Sequence, residues 1–380
     1  MKYITYGKTN KNVSIVGFGG LRFDLDKSNE ELSHLVEYAY DKGINYFDTA
    51  PGYCDERSEA IFGIAFERMQ HNQKCDFFVS TKGRPTVFDT AEKAIEGVKA
   101  SLQKLGVDKI DFYHIWCLRN MDHYDLAMKP GGQYEGLLKC KEEGLIDHIV
   151  FSSHQPGEQV LKVLEEGSFD GVTMGLNILN YGYRKKSAQV AHSKGIGVVA
   201  MNPLSGGTIP NHEEALAFLA NDGETATDAA IRFNLSCPEI TVTLIGFNNE
   251  YEIDHACSLA DDIISNDEAM YNRIQHKLGD SMKAICTSCG YCDNCPVGIN
   301  IPGYMLFYNE KEMFQKSDDQ MIEMVYGLEY WNYTQNAAVT ANACIACGKC
   351  ERECTQHLSI IDRLNEIASW ETSGKDQVTV

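Results

Sequence analysis

The sequence predicts an α/β fold, a (β/α)8 TIM barrel followed by a small domain that is mainly α-helical. Two observations predict the barrel. Eight short runs of β-branched and aromatic residues alternate with amphipathic stretches, and this alternation occupies about 250 residues. The small domain is predicted by a third observation, two short runs of cysteines near the end of the chain. A chain of 380 residues has room for one large domain and one small one.

The predicted strands follow one another at intervals that leave room for a helix between them. Helical stretches such as EELSHLVEYAYDKG and AEKAIEGVKASLQKLG place apolar residues three and four positions apart and end at glycine. The competing fold is an open, doubly wound sheet, but VGFGG after the first strand lacks the GxGxxG spacing typical of it. The predicted strands span residues 14–19, 44–49, 77–82, 110–115, 148–153, 171–175, 196–201 and 241–246. Before them, MKYITYGKTNKNV predicts a short hairpin that closes the bottom of the barrel.

Composition and charge argue against several classes of protein. The net charge is −20, from 34 basic and 54 acidic residues, and no basic run offsets it, so we expect no nucleic-acid partner. No run of about eighteen apolar residues occurs, so we expect no membrane span. The N-terminus lacks the charged and apolar segments of a secretory signal, which predicts a cytoplasmic protein.

The cysteines near the end of the chain form two regularly spaced runs. CTSCGYCDNCPVG, residues 286–298, has a cysteine at every third position, and ACIACGKCERECTQ, residues 343–356, reads C-x2-C-x2-C-x3-C. Without a secretory signal, clustered cysteines indicate metal rather than disulfides. The spacing is close to that of bacterial ferredoxins and predicts two [4Fe–4S] clusters in a ferredoxin-like domain. Zinc sites, usually two C-x2-C pairs, fit poorly because each run has a third cysteine and Pro296 follows the first run.

The two runs are expected to exchange their last cysteines. In two-cluster ferredoxins the fourth cysteine of each run ligates the other cluster. One predicted ligand set is Cys286, Cys289, Cys292 and Cys354, and the other is Cys344, Cys347, Cys350 and Cys295. The predicted domains are the barrel at 1–265 and the ferredoxin-type dicluster domain at 266–370, with a disordered tail at 371–380. Aromatic residues and methionines between the runs predict helices packed around the clusters, or alternatively a docking face for a redox partner.

Polar residues stand where several predicted strands end. Asp48 lies at the end of the second strand, Tyr53 follows that strand, Lys82 ends the third and His114 lies on the fourth. Function in such barrels sits at the carboxyl ends of the strands. A lysine near a tyrosine lowers the pKa of the phenol, and an aspartate keeps the lysine charged. The structural alternatives are a turn cap before Pro51 for Asp48 and a solvated strand end for Lys82.

The motifs FDTAPGY, STKG, IDFYHIWCL and MNPLSGG, in that order, resemble the aldo/keto reductase superfamily. With the downstream cysteines, the chain resembles the bacterial branch of that family that carries a C-terminal ferredoxin-type domain with two [4Fe–4S] clusters. The resemblance covers nearly the whole chain. It implies an oxidoreductase that moves a hydride between a nicotinamide cofactor and a carbonyl or alcohol substrate. It also implies Tyr53 as the proton donor, with Lys82 and Asp48 as the pair that tunes it.

The resemblance departs at the catalytic histidine. The family places this residue two positions after His114, where the present chain has Trp116. Residues two apart in a strand face the same side, so His114 can approach the same cavity from one step deeper. His114 is therefore either a substitute for the family's hydrogen-bond donor or a core histidine whose ring nitrogens are hydrogen-bonded within the protein.

The resemblance also implies positions for NAD(H) or NADP(H). Ser152 and Ser153 match the pair that holds the carboxamide, with serine in place of asparagine, while Thr173 stands where glutamine is usual. The other matching residues are Asn177, Pro203, Leu204, Ser205, Gly206 and Gly207. The segment GFNNEYEIDHA lacks the basic residues with which NADP-preferring members hold the 2′-phosphate. We therefore expect a preference for NADH, or weak nicotinamide binding.

Two functions from different classes follow from these observations. In the first, an enzyme couples hydride transfer in the barrel to electron transfer through the clusters, with a ferredoxin or flavodoxin as partner. In the second, the barrel is a non-catalytic scaffold that carries an electron-transfer module for a partner enzyme. A third hypothesis, a zinc-stabilised carbonyl reductase, predicts a colourless protein, whereas iron–sulfur protein is brown.

Overall fold

The chain comprises two compact units in a computed structural model. The first unit is Met1–Leu204 with Ile209–Tyr271, and the second is Ser205–Thr208 with Asn272–Val380. The structure describes residues 1–72, 74–155, 157–261, 263, 276, 284–286, 289–325, 330, 333–334 and 339–375. The sequence also predicts a helix at about 266–285, before the first cysteine run, and this segment lies almost entirely outside the described residues.

Eight parallel strands close into a barrel in the first unit, as the sequence predicts. Each strand pairs with the next along the chain, and the last pairs with the first, which closes the barrel. The strands are β3 (Val16–Gly19), β4 (Tyr46–Asp48), β5 (Phe78–Gly83), β6 (Ile110–Leu118), β7 (Ile146–Ser153), β8 (Gly171–Gly175), β9 (Gly197–Met201) and β10 (Val242–Ile245). The strand ends therefore gather the predicted site residues of the first unit at one end of the barrel.

Strand β6 is longer than predicted and irregular near its end. Its register with β7 shifts between Ile115 and Leu118, and Cys117 inside this interval has a φ of 59°. Such a bulge kinks a strand and changes the direction of its side chains. The irregularity falls on the segment that carries Trp116.

The helices of the barrel have the caps that the sequence patterns indicate. Ser28 and Glu31 form a capping box at the start of the first helix, and Thr90 caps the third helix, which ends at Gly106 in the left-handed region. The helices are α1 (Asn29–Asp41), α2 (Ser58–His71), α3 (Ala91–Leu105), α4 (Met121–Met128), α5 (Gln133–Glu142), α6 (Gly157–Glu166), α7 (Tyr181–Ser193), α8 (Thr208–Asn211), α9 (Ala226–Ser236) and α10 (Glu250–Asp261).

A hairpin closes the amino end of the barrel, as predicted. Strands β1 (Tyr3–Thr5) and β2 (Asn12–Ser14) pair antiparallel, and the buried ring of Tyr6 lies 4.2 Å from that of Phe112. Tyr6 packs in one apolar cluster with residues at the starts of the strands, namely Tyr46, Phe78, Phe112, Val150, Val199 and Val242. A Cβ atom at Gly171 would meet the Tyr6 hydroxyl at 2.2 Å, and one at Gly197 would meet the ring at 2.2 Å, so glycine is required at both positions.

The second unit is helical where the structure describes it. Its helices are α11 (Ile301–Phe314), α12 (Asp318–Val325), α13 (Lys349–Glu353) and α14 (Ile360–Lys375). Aromatic residues contribute to its core, where Tyr308 stacks on Trp370 at 5.8 Å, so helices pack on one another in this unit; their packing around clusters stays a prediction. Helix α14 extends five residues into the segment predicted to be a disordered tail, and the side chain of Glu371 is buried there. Among the residues that the structure describes, none of the helices is long and apolar enough to cross a membrane.

Candidate active site and candidate cluster sites

A buried ion pair joins the carboxyl ends of β4 and β5. Asp48 is 2% exposed and Lys82 is 3% exposed. Lys82 Nζ donates to Asp48 Oδ1, and Ser80 Oγ donates to Asp48 Oδ2 at 2.7 Å. Charges at this depth are stable only when they are paired and hydrogen-bonded. The structure therefore brings the predicted Asp–Lys pair together, and it excludes both the turn cap and the solvated strand end.

Tyr53 lies over this ion pair in the turn that follows β4. Lys82 Nζ is 5.3 Å from the centre of the Tyr53 ring, within the range of a cation–π contact. The next three residues, Cys54, Asp55 and Glu56, all have positive φ, at 53°, 53° and 65°. Left-handed backbone costs non-glycine residues roughly 1–2 kcal/mol each, and such strain clusters at functional sites. The strained turn is thus a second sign of function beside the ion pair.

The phenol of Tyr53 holds its proton more firmly than the sequence predicts. Burial raises the pKa of Tyr53 well above its usual value, and the Asp48 carboxylate adds to this shift, whereas the Arg84 guanidinium opposes it. The expectation that Lys82 lowers this pKa is therefore wrong. The reason is that Asp48 balances the Lys82 charge at contact distance, so burial dominates. A neutral phenol at physiological pH is suited to donating a proton.

His114 and Trp116 occupy different levels of β6. His114 is fully buried, with Nε2 2.9 Å from Ser80 Oγ and 3.8 Å from Asp48 Oδ2. Burial and then the Lys82 charge lower the pKa of His114 well below its usual value, so its imidazole is neutral. The Trp116 ring lies edge-on to Tyr53, 5.5 Å away. The structure thus places Trp116 beside the phenol and puts His114 next to the carboxylate beneath it.

The residues predicted to hold the nicotinamide are tied to the backbone of neighbouring strands. Ser152 Oγ accepts a hydrogen bond from the Cys117 N–H at 2.9 Å, and Ser153 Oγ donates to the Leu118 carbonyl at 3.0 Å. Asn177 Nδ2 donates to the Asn202 carbonyl at 3.0 Å. The side chains of Ser152 and Ser153 therefore fasten the end of β7 to the end of β6. The side chain of Asn177 fastens the segment after β8 to the segment after β9.

The predicted pyrophosphate loop has an unusual backbone. Pro203 and Leu204 follow β9, and Ser205, Gly206 and Gly207 have φ angles of 53°, 69° and 98°. Left-handed residues in a turn can direct successive N–H groups to one side, which is a common way of binding an anion. Glycine at two of the three positions permits this conformation at low cost.

Two buried polar groups of the first unit fit a bound polar ligand. Thr173 Oγ1 and the side-chain amide of Gln155 are buried, and neither has a hydrogen-bond partner within the described part of the chain. Buried polar atoms are normally hydrogen-bonded, so such groups call for an explanation. A carboxamide, such as that of a nicotinamide, would satisfy groups of this type.

The segment after β10 has no lysine or arginine in its own sequence, but the fold brings a lysine next to it. The Glu252 carboxylate accepts from the Asn248 N–H at 2.8 Å, so it caps the start of α10. Lys27 Nζ, from the loop before α1, donates to the Asn248 carbonyl at 3.1 Å. No local sequence pattern predicts this lysine here, because it comes from a position 221 residues away.

Two further residues of this region were not predicted. Ser80 precedes Lys82 by two positions on β5, so the two-residue period of a strand places it on the same face. Arg84 directly follows β5, and its guanidinium lies 4.1 Å from the centre of the Trp116 ring. The position of Arg84 directly after the STKG motif could have identified it as a candidate site residue, since strand ends carry function in this fold.

The first predicted cysteine set lines one cavity in the second unit. Its four thiols lie on the walls of this cavity with Pro302, Met305 and Leu358; they are Cys286, Cys289, Cys292 and Cys354. In the described residues, no three Cys, His, Asp or Glu side chains are close enough to hold a single metal ion. Four thiols around one cavity match the ligand number of a cubane cluster, which binds one thiolate at each iron.

The second predicted set is assembled in part. Cys344 and Cys347 lie on the loop before α13, in which Ala346 and Gly348 have φ angles of 51° and 68°, and Cys350 lies in the first turn of that helix. The Ala346 N–H donates to Cys344 Sγ at 3.4 Å, a type of contact that stabilises thiolates. Cys295 and Cys344 pack against the same apolar core. Gly290 and Gly348 both adopt the tight bend after the second cysteine of their runs.

Comparison with known proteins agrees with this geometry. The chain matches the family model of the aldo/keto reductase family over residues 15–277 and that of the 4Fe-4S dicluster domain over residues 285–359. It is 26% identical over 275 residues to L-galactose dehydrogenase of Arabidopsis thaliana, which covers 65% of this chain and 84% of that protein. It is 27% identical over 235 residues to NADH-specific methylglyoxal reductase of Escherichia coli (strain K12), which covers 55% of this chain and 69% of that protein.

A solved structure gives the same fold. An aldo-keto reductase from Bacillus halodurans, in its holo form, superimposes with a TM-score of 0.61 at 20% identity, covering 73% of this chain and 96% of that one. This likeness supports the fold alone, whereas the family match extends over more than half of the chain. The chain is therefore an oxidoreductase that belongs to the aldo/keto reductase family and carries an iron–sulfur module, the 4Fe-4S dicluster domain, after its barrel.

Proposed function

We propose that the barrel transfers a hydride between a nicotinamide cofactor and a small carbonyl or alcohol substrate. We further propose that two [4Fe–4S] clusters pass single electrons to or from a ferredoxin or flavodoxin. The observation that carries the first part is the buried Asp48–Lys82 pair beneath the Tyr53 ring, at the carboxyl end of the barrel. Such a constellation is expensive to bury and is typical of an active site.

Three residues perform the proton chemistry in this proposal. A reduced nicotinamide, when bound, supplies the hydride to the carbonyl carbon. Tyr53 donates its proton to the carbonyl oxygen. Its raised pKa means that the phenol is protonated at neutral pH and gives up the proton only as negative charge develops on that oxygen. Lys82, held by Asp48, stabilises the negative charge that develops on the oxygen. The reverse reaction, alcohol oxidation, uses the same groups with the proton returning to Tyr53.

The nicotinamide would be held by the residues that match the family positions. These are Ser152, Ser153, Asn177, Pro203, Leu204, Ser205, Gly206 and Gly207. The Thr173 hydroxyl and the Gln155 amide, both buried without a partner in the described residues, are further candidates. Glu250 and Glu252 at the start of α10 support a preference for NADH, because carboxylates repel a 2′-phosphate, and Lys27 beside Asn248 offsets part of this repulsion. One relative is also named as NADH-specific.

The clusters would be held by the two crossed cysteine sets. The cavity formed by Cys286, Cys289, Cys292 and Cys354 supports the first set. The segment of Cys344, Cys347 and Cys350 supports the second, with Cys295 as the fourth ligand. When bound, such clusters transfer one electron at a time, so two of them match the two electrons of a hydride.

The test is a titration of the anaerobically purified protein. NADH and NADPH are added separately while the visible absorbance of the clusters is followed. Bleaching by NADH, faster than by NADPH, supports a single electron path from barrel to clusters. The coupling proposal is contradicted if neither cofactor bleaches the clusters and neither binds.

One observation favours the alternative function, a non-catalytic barrel that serves as a scaffold. Trp116 takes the place of the family histidine beside Tyr53, and the side chains of Ser152, Ser153 and Asn177 are engaged in backbone hydrogen bonds. Substitution Tyr53→Phe separates the two functions. It abolishes nicotinamide-linked turnover if the barrel is catalytic. If the barrel is a scaffold, the wild type has no such turnover to lose, and electron transfer from dithionite-reduced clusters to ferredoxin is the same in the variant.

A further inference from the structure

A third charged side chain, Arg84, lies next to the proposed catalytic residues. It follows β5 at the carboxyl end of the barrel, two positions after Lys82. Its guanidinium lies 4.1 Å from the centre of the Trp116 ring, and that ring lies 5.5 Å from the ring of Tyr53. Arg84, Trp116 and Tyr53 therefore form a continuous row.

The positive charge of Arg84 is not balanced by the protein. Asp48 and Lys82 neutralise each other in a buried ion pair. Within the part of the chain that the structure describes, no carboxylate lies within 4.0 Å of the Arg84 guanidinium, and its buried Nε has no hydrogen-bond partner. The same charge is close enough to oppose the rise in the pKa of Tyr53. The row thus has a net positive charge at the end away from the phenol.

We propose that Arg84 binds an oxyanion group of the substrate, a carboxylate or a phosphate, while the substrate carbonyl lies at Tyr53. This inference rests on the proposed function of the barrel and names its substrate class. A guanidinium presents a planar fork of N–H donors that matches the oxygens of a carboxylate or phosphate. Stacking on Trp116 fixes the plane of this fork before the substrate arrives.

The substrate is thus a short aldehyde or ketone with an oxyanion group a few atoms from its carbonyl. In the reduction, the carbonyl carbon would receive the hydride of a bound NADH, which would leave as NAD⁺, and the carbonyl oxygen would receive its proton from Tyr53. The oxyanion group is unchanged, so Arg84 determines specificity and does not take part in the proton transfer.

The test compares matched anionic and neutral substrates with the full-length, cluster-loaded protein. The pairs are 4-oxobutanoate with 4-oxobutanamide, and glyceraldehyde 3-phosphate with glyceraldehyde. We expect kcat/KM to favour the anionic member of at least one pair by about tenfold or more, since charge-assisted hydrogen bonds are the strong ones. The favoured pair identifies carboxylate or phosphate as the recognised group.

Substitution of Arg84 should remove this preference. In Arg84→Gln we expect the ratio of kcat/KM values to fall to about one, whereas Arg84→Lys, which keeps the charge but loses the fork, retains part of it. Lys93→Gln is the matched control. Lys93 lies on α3 and forms an exposed ion pair with Asp89, so this substitution also removes one positive charge. This control should leave the ratio unchanged.

A binding measurement keeps the inference testable without turnover. Titration with 4-hydroxybutanoate or glycerol 3-phosphate, followed by calorimetry, should give a Kd about tenfold higher in Arg84→Gln than in the wild type. If wild type reduces neutral and anionic carbonyls equally well, the inference is overturned and the hydride-transfer proposal stands. If no carbonyl is reduced, the hydride-transfer proposal fails. In that case the Kd values still test Arg84, and equal values for wild type and Arg84→Gln would overturn its role in binding the oxyanion group. Circular dichroism confirms that each variant is folded.

Discussion

Tyr53 shows how a single residue acquires its chemical character from the atoms around it. Its phenol stands over an ion pair whose two charges cancel, so the lysine beside it has little effect on its ionisation. Burial then raises its pKa. A half-buried tyrosine of this kind keeps its proton over the whole physiological range, so it can act as an acid only toward a substrate oxygen that becomes strongly basic as it accepts a hydride.

Removal of the Tyr53 hydroxyl tests this role. We expect Tyr53→Phe to lower kcat for carbonyl reduction by about 10²–10⁴-fold, because a positioned general acid contributes about that much. The cluster absorbance should not change. Tyr251→Phe is the control, since Tyr251 is 75% exposed on α10. A Tyr53→Phe protein with wild-type turnover would exclude the phenol as the proton donor.

The ion pair beneath Tyr53 should also matter for stability. Asp48→Asn leaves the buried Lys82 charge without its counter-charge, so we expect it to lower the free energy of unfolding by about 3–5 kcal/mol. Asp89→Asn breaks an exposed ion pair with Lys93 and should lower the free energy of unfolding far less. Urea unfolding of both variants gives the comparison. Similar costs for the two would mean that Asp48 and Lys82 are not paired in solution.

At the scale of elements, helix α7 holds two strand ends in place. Its Arg184 is 1% exposed and donates to three backbone carbonyls, those of His154 at 2.8 Å, Gln155 at 3.2 Å and Gly175 at 2.9 Å. These carbonyls follow β7 or end β8, next to the serines proposed to hold the nicotinamide. The helix therefore controls the geometry of the barrel mouth through one side chain.

Loss of Arg184 should destabilise the barrel more than loss of a surface charge. Arg184→Met leaves three buried carbonyls without their donor, and we expect it to lower the free energy of unfolding by about 3–5 kcal/mol. Lys186→Met, on the exposed side of the same helix, should change it by less than about 0.5 kcal/mol. Denaturant unfolding followed by circular dichroism measures both. Equal effects would show that the Arg184 contacts are dispensable.

The loop between β7 and α6 should make stability depend on pH. Burial, with the charges of Arg184 and Arg119, lowers the pKa of His154 from 6.5 to about 3. Below pH 6.5, His154 therefore binds a proton in the unfolded chain but stays neutral in the folded chain. The contribution of His154 to stability is complete above pH 6.5 and is lost progressively as the pH falls toward about 3.

The measurement compares urea unfolding at pH 7.5 and pH 5.5. One unit below its unfolded pKa, His154 should cost the wild type about 1.4 kcal/mol. In His154→Asn the difference between the two pH values should be smaller by about this amount, because the other ten histidines are common to both proteins. An identical pH difference in the two proteins would refute the lowered pKa.

At the scale of the whole molecule, the second unit depends on contacts between distant cysteines. Cys354 lies in the same cavity as three cysteines that precede it by more than sixty positions, and it connects the two runs. Because metal binding of this type couples to folding, cluster loading should stabilise the unit. The barrel has no such requirement, since its strands close on themselves.

Cysteine substitutions can test the crossed ligation. Cys354→Ser removes one ligand of the first proposed set, so we expect the iron content to fall from about eight to about four atoms per chain. Cys257→Ser, which alters a buried cysteine of α10 in the barrel, should leave the iron content unchanged. Iron and acid-labile sulfide are measured after anaerobic purification. Full iron content in Cys354→Ser would show that this thiol is not a ligand.

The sequence by itself determined the features that depend on neighbours along the chain. The eight strands follow from alternating patterns of a few residues, and the helix caps follow from residues three positions apart. The iron–sulfur module follows from cysteine spacing, since a cluster-binding loop is short and local. Asp48, Lys82 and Tyr53 could be identified because strand order fixes which ends are adjacent in a barrel.

Only the tertiary structure decided the features that depend on burial and on distant partners. The bulge in β6 directs Trp116 to Tyr53, and His114 meets a carboxylate 66 positions earlier in the chain. The charge balance of Lys82 and the lack of balance at Arg84 follow from which carboxylates come within reach. The pKa of Tyr53 rises for the same reason, because desolvation depends on everything packed around the ring. Local patterns do not carry this information, since it arises from contacts that form only when the barrel closes.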